Sequence, residues 1–237
     1  MELKPDSHDK LFFAGWNLYK KAVDNNCLFH KEMYQTLDKL LIEKFTNIPF
    51  SILDLGCGDS AYIAKILLNK SVNNYTGVDL SDFATNLAKT NLPNNIKFVD
   101  FINSDFLEAM SIMAKNQQKF DLVFTSYAFH HYQKPQKELF FKLAKQLLND
   151  NGIVVVIDII LKESETLAAF YDRINKFYST FNQLTAEELN GLYQHVSNSD
   201  FPETINTYKD MASNAKFTKF NVLNQQQEIF YFLTCDN

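Results

Sequence analysis

Asp54-Leu55-Gly56-Cys57-Gly58 sets two glycines one residue apart just behind a carboxylate. Glycines so spaced let a backbone turn tightly and approach a ligand closely. The segment ends a strand-like run, Phe50 to Leu55, which would place the ligand at the carboxyl edge of an open sheet, where such sheets bind cofactors. A second carboxylate, Asp79, falls near the end of another strand-like run, Tyr75 to Leu80. At that edge it can accept hydrogen bonds from both hydroxyls of a ribose. Its alternative task is to cap the next helix, which Ser81 or Asp82 can also do. Gly56-Cys57-Gly58-Asp59-Ser60-Ala61 also satisfies the dinucleotide fingerprint with Ala in its last place, so the glycines alone leave the nucleoside open.

Farther on, Tyr127-Ala128-Phe129-His130-His131-Tyr132 holds two adjacent imidazoles. Either can act as a general base near neutral pH, or simply hydrogen-bond its own loop. No third ligand stands at a recognisable spacing, so no metal site is expected. Arg173 is the sole arginine of the chain. Its guanidinium can grip a substrate carboxylate or phosphate, or stand as a surface cation. Aromatic residues gather near the N-terminus (Trp16, Tyr19) and between residues 160 and 202 (Phe170, Tyr171, Phe177, Tyr178, Tyr193). They can roof an acceptor pocket or fill the core of a cap. The candidate substrate-contacting residues are therefore Trp16, Tyr19, His130, Arg173 and Tyr178.

The elements that must position these groups alternate. Apolar residues Met33, Leu37, Leu40, Leu41 and Phe45 recur at helical spacing over His30 to Phe45, and Asn47 with Pro49 ends that helix. Strands follow at Phe50 to Leu55, Tyr75 to Leu80, Ile96 to Phe101, Phe120 to Ser126 and Ile153 to Ile159. Helices are expected at 60–69, 82–91 and 135–148, and Asn149-Asp150-Asn151-Gly152 reads as a turn. Strand–helix alternation implies a parallel sheet with right-handed crossovers. Residues 160–202 break the alternation with two helices, about 163–182 and 186–197, the second with a Thr185–Glu188 capping box. A helix near 203–214 follows. Lys216 to Leu223 and Glu228 to Thr234 then form a hairpin.

Taken in chain order, these segments resemble the motifs of class I S-adenosylmethionine-dependent methyltransferases. Ile52 to Gly58 resembles their first motif, Tyr75 to Ser81 the second and Asn103-Ser104-Asp105-Phe106 the loop beside the adenine. Phe120 to Phe124 resembles the fourth-strand motif, and Leu147 to Gly152 the turn before strand five. The resemblance implies an α/β fold: a Rossmann-like, seven-stranded, mostly parallel sheet with an antiparallel last strand. It implies S-adenosyl-L-methionine as cofactor and S-adenosyl-L-homocysteine as product. Asp54, Gly56 and Gly58 would hold the methionine portion, Asp79 the ribose, and Leu80 and Phe106 the adenine. Asp105 would accept from the adenine amino group, and Ser126 and Tyr127 would line the pocket near the sulfonium. Family members often carry histidine where His130 and His131 stand. A carboxylate two residues before the first glycine suits an amine better than a pyrophosphate, which weighs against an NAD(P)-dependent oxidoreductase.

Four segments are expected: an N-terminal helical part of a cap (1–48), a cofactor-binding core (49–159), a helical insertion or lid (160–202), and a C-terminal helix and hairpin completing the sheet (203–237). The chain has 237 residues and a net charge of −5, without the basic face usual in nucleic-acid binders. No apolar run approaches the ~18 residues of a membrane span, and the polar start, Met1 to Lys10, does not read as a signal peptide. Cys27, Cys57 and Cys235 are scattered and odd in number, which suits free thiols in a reducing cytoplasm. The expected partner is a small molecule. No Asn/Asp-Pro-Pro-Tyr/Phe segment and no cysteine follows strand four, where Thr125-Ser126-Tyr127-Ala128 stands. That disfavours amino-methylation of adenine or glutamine and thiol-assisted cytosine chemistry. A protein or RNA methyltransferase and a non-catalytic cofactor-binding protein remain as alternatives, and the spacing says nothing of oligomeric state.

Overall fold

The computed structural model describes residues 17–236. Helix α1 (17–24) and α2 (His30–Phe45) precede a βα series: β1 (Phe50–Leu55), α3 (Ala61–Leu67), β2 (Val72–Asp79), α4 (Asp82–Asn91), β3 (Phe98–Asn103), α5 (Phe106–Lys115) and β4 (Phe120–Ser126). A short 3₁₀ turn, Phe129–His131, leads to α6 (Lys134–Leu147) and β5 (Leu148–Ile159). Then come α7 (Leu167–Tyr178), α8 (Ala186–Ser199), α9 (Ile205–Asn214), β6 (Lys219–Gln226) and β7 (Phe230–Asp236). The seven strands form one sheet in the order β3-β2-β1-β4-β5-β7-β6. β1 to β5 pair in parallel, and β7 runs antiparallel between β5 and β6. This is the expected Rossmann-like α/β sheet.

The sheet is covered on both faces because its central strands are apolar over most of their length, with few polar breaks such as Asp54 and Asp158. Ile153, Val155, Ile157 and Ile159 of β5 pack with α2, α3, α7 and the end of α8 on one face. Val154 and Val156 pack with α5, α6 and α9 on the other. The strand order reverses direction between β1 and β4. The chains leaving their paired carboxyl ends therefore turn to opposite faces, α3 to one and the turn before α6 to the other, and open a crevice, the usual ligand site of such sheets.

Two local readings need correction. The Asn149–Gly152 turn is absorbed into β5: Phe120 pairs with Leu148, then Leu122 with Ile153, so the intervening residues form an irregularity within the strand. Helix α5 stands where no helix is expected from the sequence; it starts at Asp105, whose carboxylate accepts from the Leu107 and Glu108 amides. Its buried Phe106, Leu107, Met110 and Met113 recur at helical spacing. The Thr185–Glu188 capping box forms at α8 as expected. Ser81 accepts from the Ala84 amide at the start of α4.

Candidate functional site

Two hollows, about 410 and 450 Å³, meet at the Gly56–Gly58 turn and share Tyr19, Gly56, Gly58 and Ser126 in their walls. Gly56 has φ +68° and Gly58 φ +51°. A Cβ on Gly56 would stand 2.5 Å from the Cβ of Ala128, so the loop after β4 closes directly on the turn. Asp79 fixes the turn from below. Its Oδ2 accepts the Gly58 amide at 2.8 Å and its Oδ1 the Ser81 amide at 2.9 Å. Burial pushes the Asp79 carboxyl upward, opposed by those backbone donors. Another hollow, about 730 Å³, lies apart, between α2 and α3. Asn47 and Ser71, in its wall, precede the amino ends of β1 and β2, the edge opposite the glycine turn.

The first lobe is built on Asp54, which is 2% exposed. The Tyr75 hydroxyl donates to its Oδ2 at 2.5 Å and lies 2.9 Å from the Ser60 hydroxyl. Burial pushes Asp54 up to about 7; Asp79 adds to this and the Tyr75 hydrogen bond opposes it. The opposite wall is aromatic: Tyr19, His30, Tyr34 and Tyr62. The Tyr19 hydroxyl lies 3.1 Å from His30 Nε2. The His30 ring stacks on Tyr127 at 4.2 Å. Burial drives His30 down to about 3, so its imidazole is neutral near pH 7. Its Nδ1 is buried without a hydrogen-bond partner among the described residues. The Tyr34 hydroxyl faces Asp54 and Ser126, and burial keeps it protonated.

Tyr127 adopts φ +53°, a strained state for a bulky residue. The hydrogen bond from its hydroxyl to the Leu28 carbonyl and the His30 stack hold it there. Its ring packs in the core, and the residue takes its place in the second lobe's wall.

That second lobe runs along Asp79, Leu80, Asp105, Phe106, His131 and Tyr132. Leu80 is 71% exposed at its rim, an apolar surface without a protein partner over most of its area. Phe106 packs against Tyr132, with ring centroids 4.4 Å apart. Asp105 is already engaged, with one oxygen capping α5 and the other accepting the Tyr132 hydroxyl. It can meet an adenine amine only through its remaining lone pairs, which weakens the role expected for it.

A family profile described as a methyltransferase domain matches residues 50–214, more than half of the chain. The chain belongs to the class I S-adenosylmethionine-dependent methyltransferases. An uncharacterized methyltransferase of Bacillus licheniformis is 29% identical to it over 159 residues, 66% of this chain and 70% of that one. A carboxy-S-adenosyl-L-methionine synthase of Yersinia pseudotuberculosis is 23% identical over 177 residues, 73% of each chain. Among solved structures, the plantazolicin methyltransferase BpumL in complex with SAH superposes with a TM-score of 0.65 at 14% identity, over 92% of this methyltransferase and 88% of that chain. A cyclopropane synthase of Mycobacterium tuberculosis gives 0.54 at 18% identity over 78% of this chain, which spans only 62% of that one. At these identities the structural likeness concerns the fold.

Several candidate residues of the methyltransferase lie away from the cleft. His130 lines neither lobe. Its Nδ1 bonds Asp158 Oδ1 and its Nε2 lies 3.6 Å from Asp200 Oδ1, so both nitrogens face buried carboxylates and the expected base is turned inward. His131 is the histidine in the second lobe's wall. Tyr178 is buried in the core on one face of the sheet, beside Phe177 and Phe181. Trp16 lies outside the described residues. The insertion contributes no residue to either lobe; the cleft is walled from that side by α1 and α2. α1 is itself tied to α8 by a Lys21–Glu188 pair at 2.7 Å.

Arg173 is a structural clamp. Its Nε and Nη2 donate to Glu165, its Nη1 to the Glu228 carbonyl and its Nη2 also to the Ile160 carbonyl. With these donors spent it has little left for a substrate anion. Arg173→Met is expected to lower stability by about 1–3 kcal/mol, because it strips partners from Glu165 and two carbonyls. Affinity for S-adenosylhomocysteine should stay within about twofold. Thermal melts and calorimetry check both expectations.

Proposed function

We propose that this methyltransferase transfers a methyl group by in-line displacement to a small molecule held in the lobe between Asp54 and the aromatic wall. In this reading Asp54 and the Gly56–Gly58 backbone receive the methionine portion of S-adenosylmethionine, Asp79 the ribose, and Leu80 and Phe106 the adenine. The residues present suit such a group. A carboxylate buried at 2% exposure lines the lobe where an ammonium would sit, and the glycine turn leaves backbone open to it. The cofactor, when bound, supplies an electrophilic methyl on sulfur.

The protein's part is to orient and to exclude water, which together can lower a barrier by up to about 7–11 kcal/mol in well-aligned cases. Tyr19, Tyr34 and the neutral His30 offer hydrogen bonds that can hold an acceptor. None is a strong base: burial pushes both hydroxyls up and the imidazole down. The preferred acceptor therefore brings an available lone pair and needs no early deprotonation.

The observation that carries the small-molecule reading is the first lobe itself, about 410 Å³ and roofed by α1 and α2. A hollow of this size encloses a small ligand and gives little room to a folded macromolecule. Incubation of the chain with methyl-labelled S-adenosylmethionine and a whole-cell extract tests it. Once the unreacted donor is separated by chromatography, label is expected in a new small-molecule product that is absent when the chain is left out. Label confined to precipitated protein or RNA would overturn the small-molecule assignment.

A further inference from the structure

The fold gathers three of the chain's five histidines, His130, His131 and His195, around one carboxylate, Asp200. Asp200 is 2% exposed, and its Oδ1 is buried without a hydrogen-bond partner among the described residues. An oxygen so placed is costly unless something positive meets it. Three imidazole nitrogens ring it: His131 Nδ1 at 3.3 Å, His130 Nε2 at 3.6 Å and His195 Nε2 at 3.8 Å. These separations are long for hydrogen bonds. They approach another distance. Donor atoms about 2.0–2.1 Å from a tetrahedral metal stand roughly 3.3–3.4 Å from one another.

We propose that His130 Nε2, His131 Nδ1, His195 Nε2 and Asp200 Oδ1 form a site for a divalent transition metal of the zinc type. The donor set of three imidazoles and one carboxylate suits that class, whereas magnesium and calcium favour oxygen. The site also has the outer partner that metal-binding histidines usually show. His130 Nδ1 donates to the fully buried Asp158, which leaves the Nε2 lone pair available to a metal. Ligand atoms of His130, His131 and Asp200 already lie within 4.8 Å of one another. His195, with 58% of its side chain exposed, turns in to complete the set. His131 gives up a 3.2 Å contact to the Ser199 carbonyl on binding.

The two ends of this site come from different parts of the chain. His130 and His131 stand on the turn after β4, and His131 lines the second lobe of the cleft. His195 is on α8, and Asp200 follows its last turn. A metal here would fasten the insertion to the cleft's edge. No spacing in the sequence marks this set, because Asp200 is brought to the histidines only by the fold.

The proposal stands apart from the methyl-transfer reading and is tested without it. The chelator-treated full chain is titrated with zinc sulfate against a chromogenic zinc chelator, and in parallel with cobalt(II). One equivalent of zinc is expected to bind tightly, to raise the melting temperature, and to be replaceable by cobalt with the visible bands of a four-coordinate centre. His131→Ala and His195→Ala are each expected to weaken zinc binding at least tenfold and to reduce the melting shift. His195→Ala alters an exposed ring, and the metal-free melting temperature shows whether it folds as the native chain does. Failure of the native chain to bind an equivalent of zinc would overturn the site. So would unchanged zinc affinity in both variants.

Discussion

Gly56→Ala is expected to weaken S-adenosylhomocysteine binding at least about a hundredfold, equivalent to roughly 2.7 kcal/mol. Two costs combine. The residue holds φ +68°, which charges a residue with a Cβ about 1–3 kcal/mol. The added methyl would also stand 2.5 Å from the Ala128 Cβ. That neighbour is a methyl fixed to backbone and cannot swing aside, so relief must come from moving the turn or the loop after β4, at a further cost of about 1–3 kcal/mol. Either movement disturbs the groups that both lobes share. Gly191→Ala is the control. It lies within α8, where a Cβ would meet its nearest neighbour at an ordinary 3.4 Å. It is expected to leave affinity unchanged and to add up to about 1 kcal/mol of stability. Calorimetric titration and denaturant melts of both variants check the pair.

The second large effect concerns Asp54 and pH. Its carboxyl is pushed up to about 7 in the free protein, chiefly by burial. An ammonium beside it favours the ionised form, so binding expels a proton wherever the free carboxyl is protonated. Affinity for S-adenosylhomocysteine should therefore rise about tenfold between about pH 5.5 and pH 7, then level off. Proton release should appear as a buffer-dependent binding enthalpy. Asp54→Asn should bind at least about tenfold more weakly at pH 7.5 and show a flat profile. The same shift has the opposite sign for folding. A carboxyl whose folded value exceeds its unfolded value holds its proton more tightly when folded. Stability of the unliganded chain should then fall as pH rises from the ordinary carboxylate range to about 7. Cofactor affinity and apo-protein stability moving in opposite directions over that window would be a signature of Asp54.

Much of the fold was legible because its signals are local. The glycine turn, the apolar strands β1 and β4 and the capping box at Thr185 each declare themselves within a few residues. Helix α5 was hidden because Asn103 to Phe106 reads equally well as a binding loop, and Asp105 is both the loop's acid and the helix cap. The Asn149–Gly152 segment has turn chemistry but is absorbed into a strand by its pairing with β4.

The site was less legible because its walls are assembled across the chain. His30, Tyr34 and Tyr62 sit on α2 and α3 at positions that periodicity alone assigns to helix packing. Only tertiary contact, such as the His30–Tyr127 stack, shows that they face the cleft. His130 and Asp158 are 28 residues apart and on different elements, so nothing in either neighbourhood betrays their bond. Arg173 drew notice as the one arginine. Its partner Glu165 lies 8 residues before it, but the two carbonyls that complete the clamp come from the fold.

A crystal structure of the chain with S-adenosylhomocysteine tests the cleft assignment most directly. The amine should lie within about 3 Å of Asp54, and the ribose hydroxyls within about 3 Å of Asp79, with the adenine between Leu80 and Phe106. The product lodged instead in the hollow between α2 and α3, or in the cleft with its amine away from Asp54 and its ribose away from Asp79, would contradict the account.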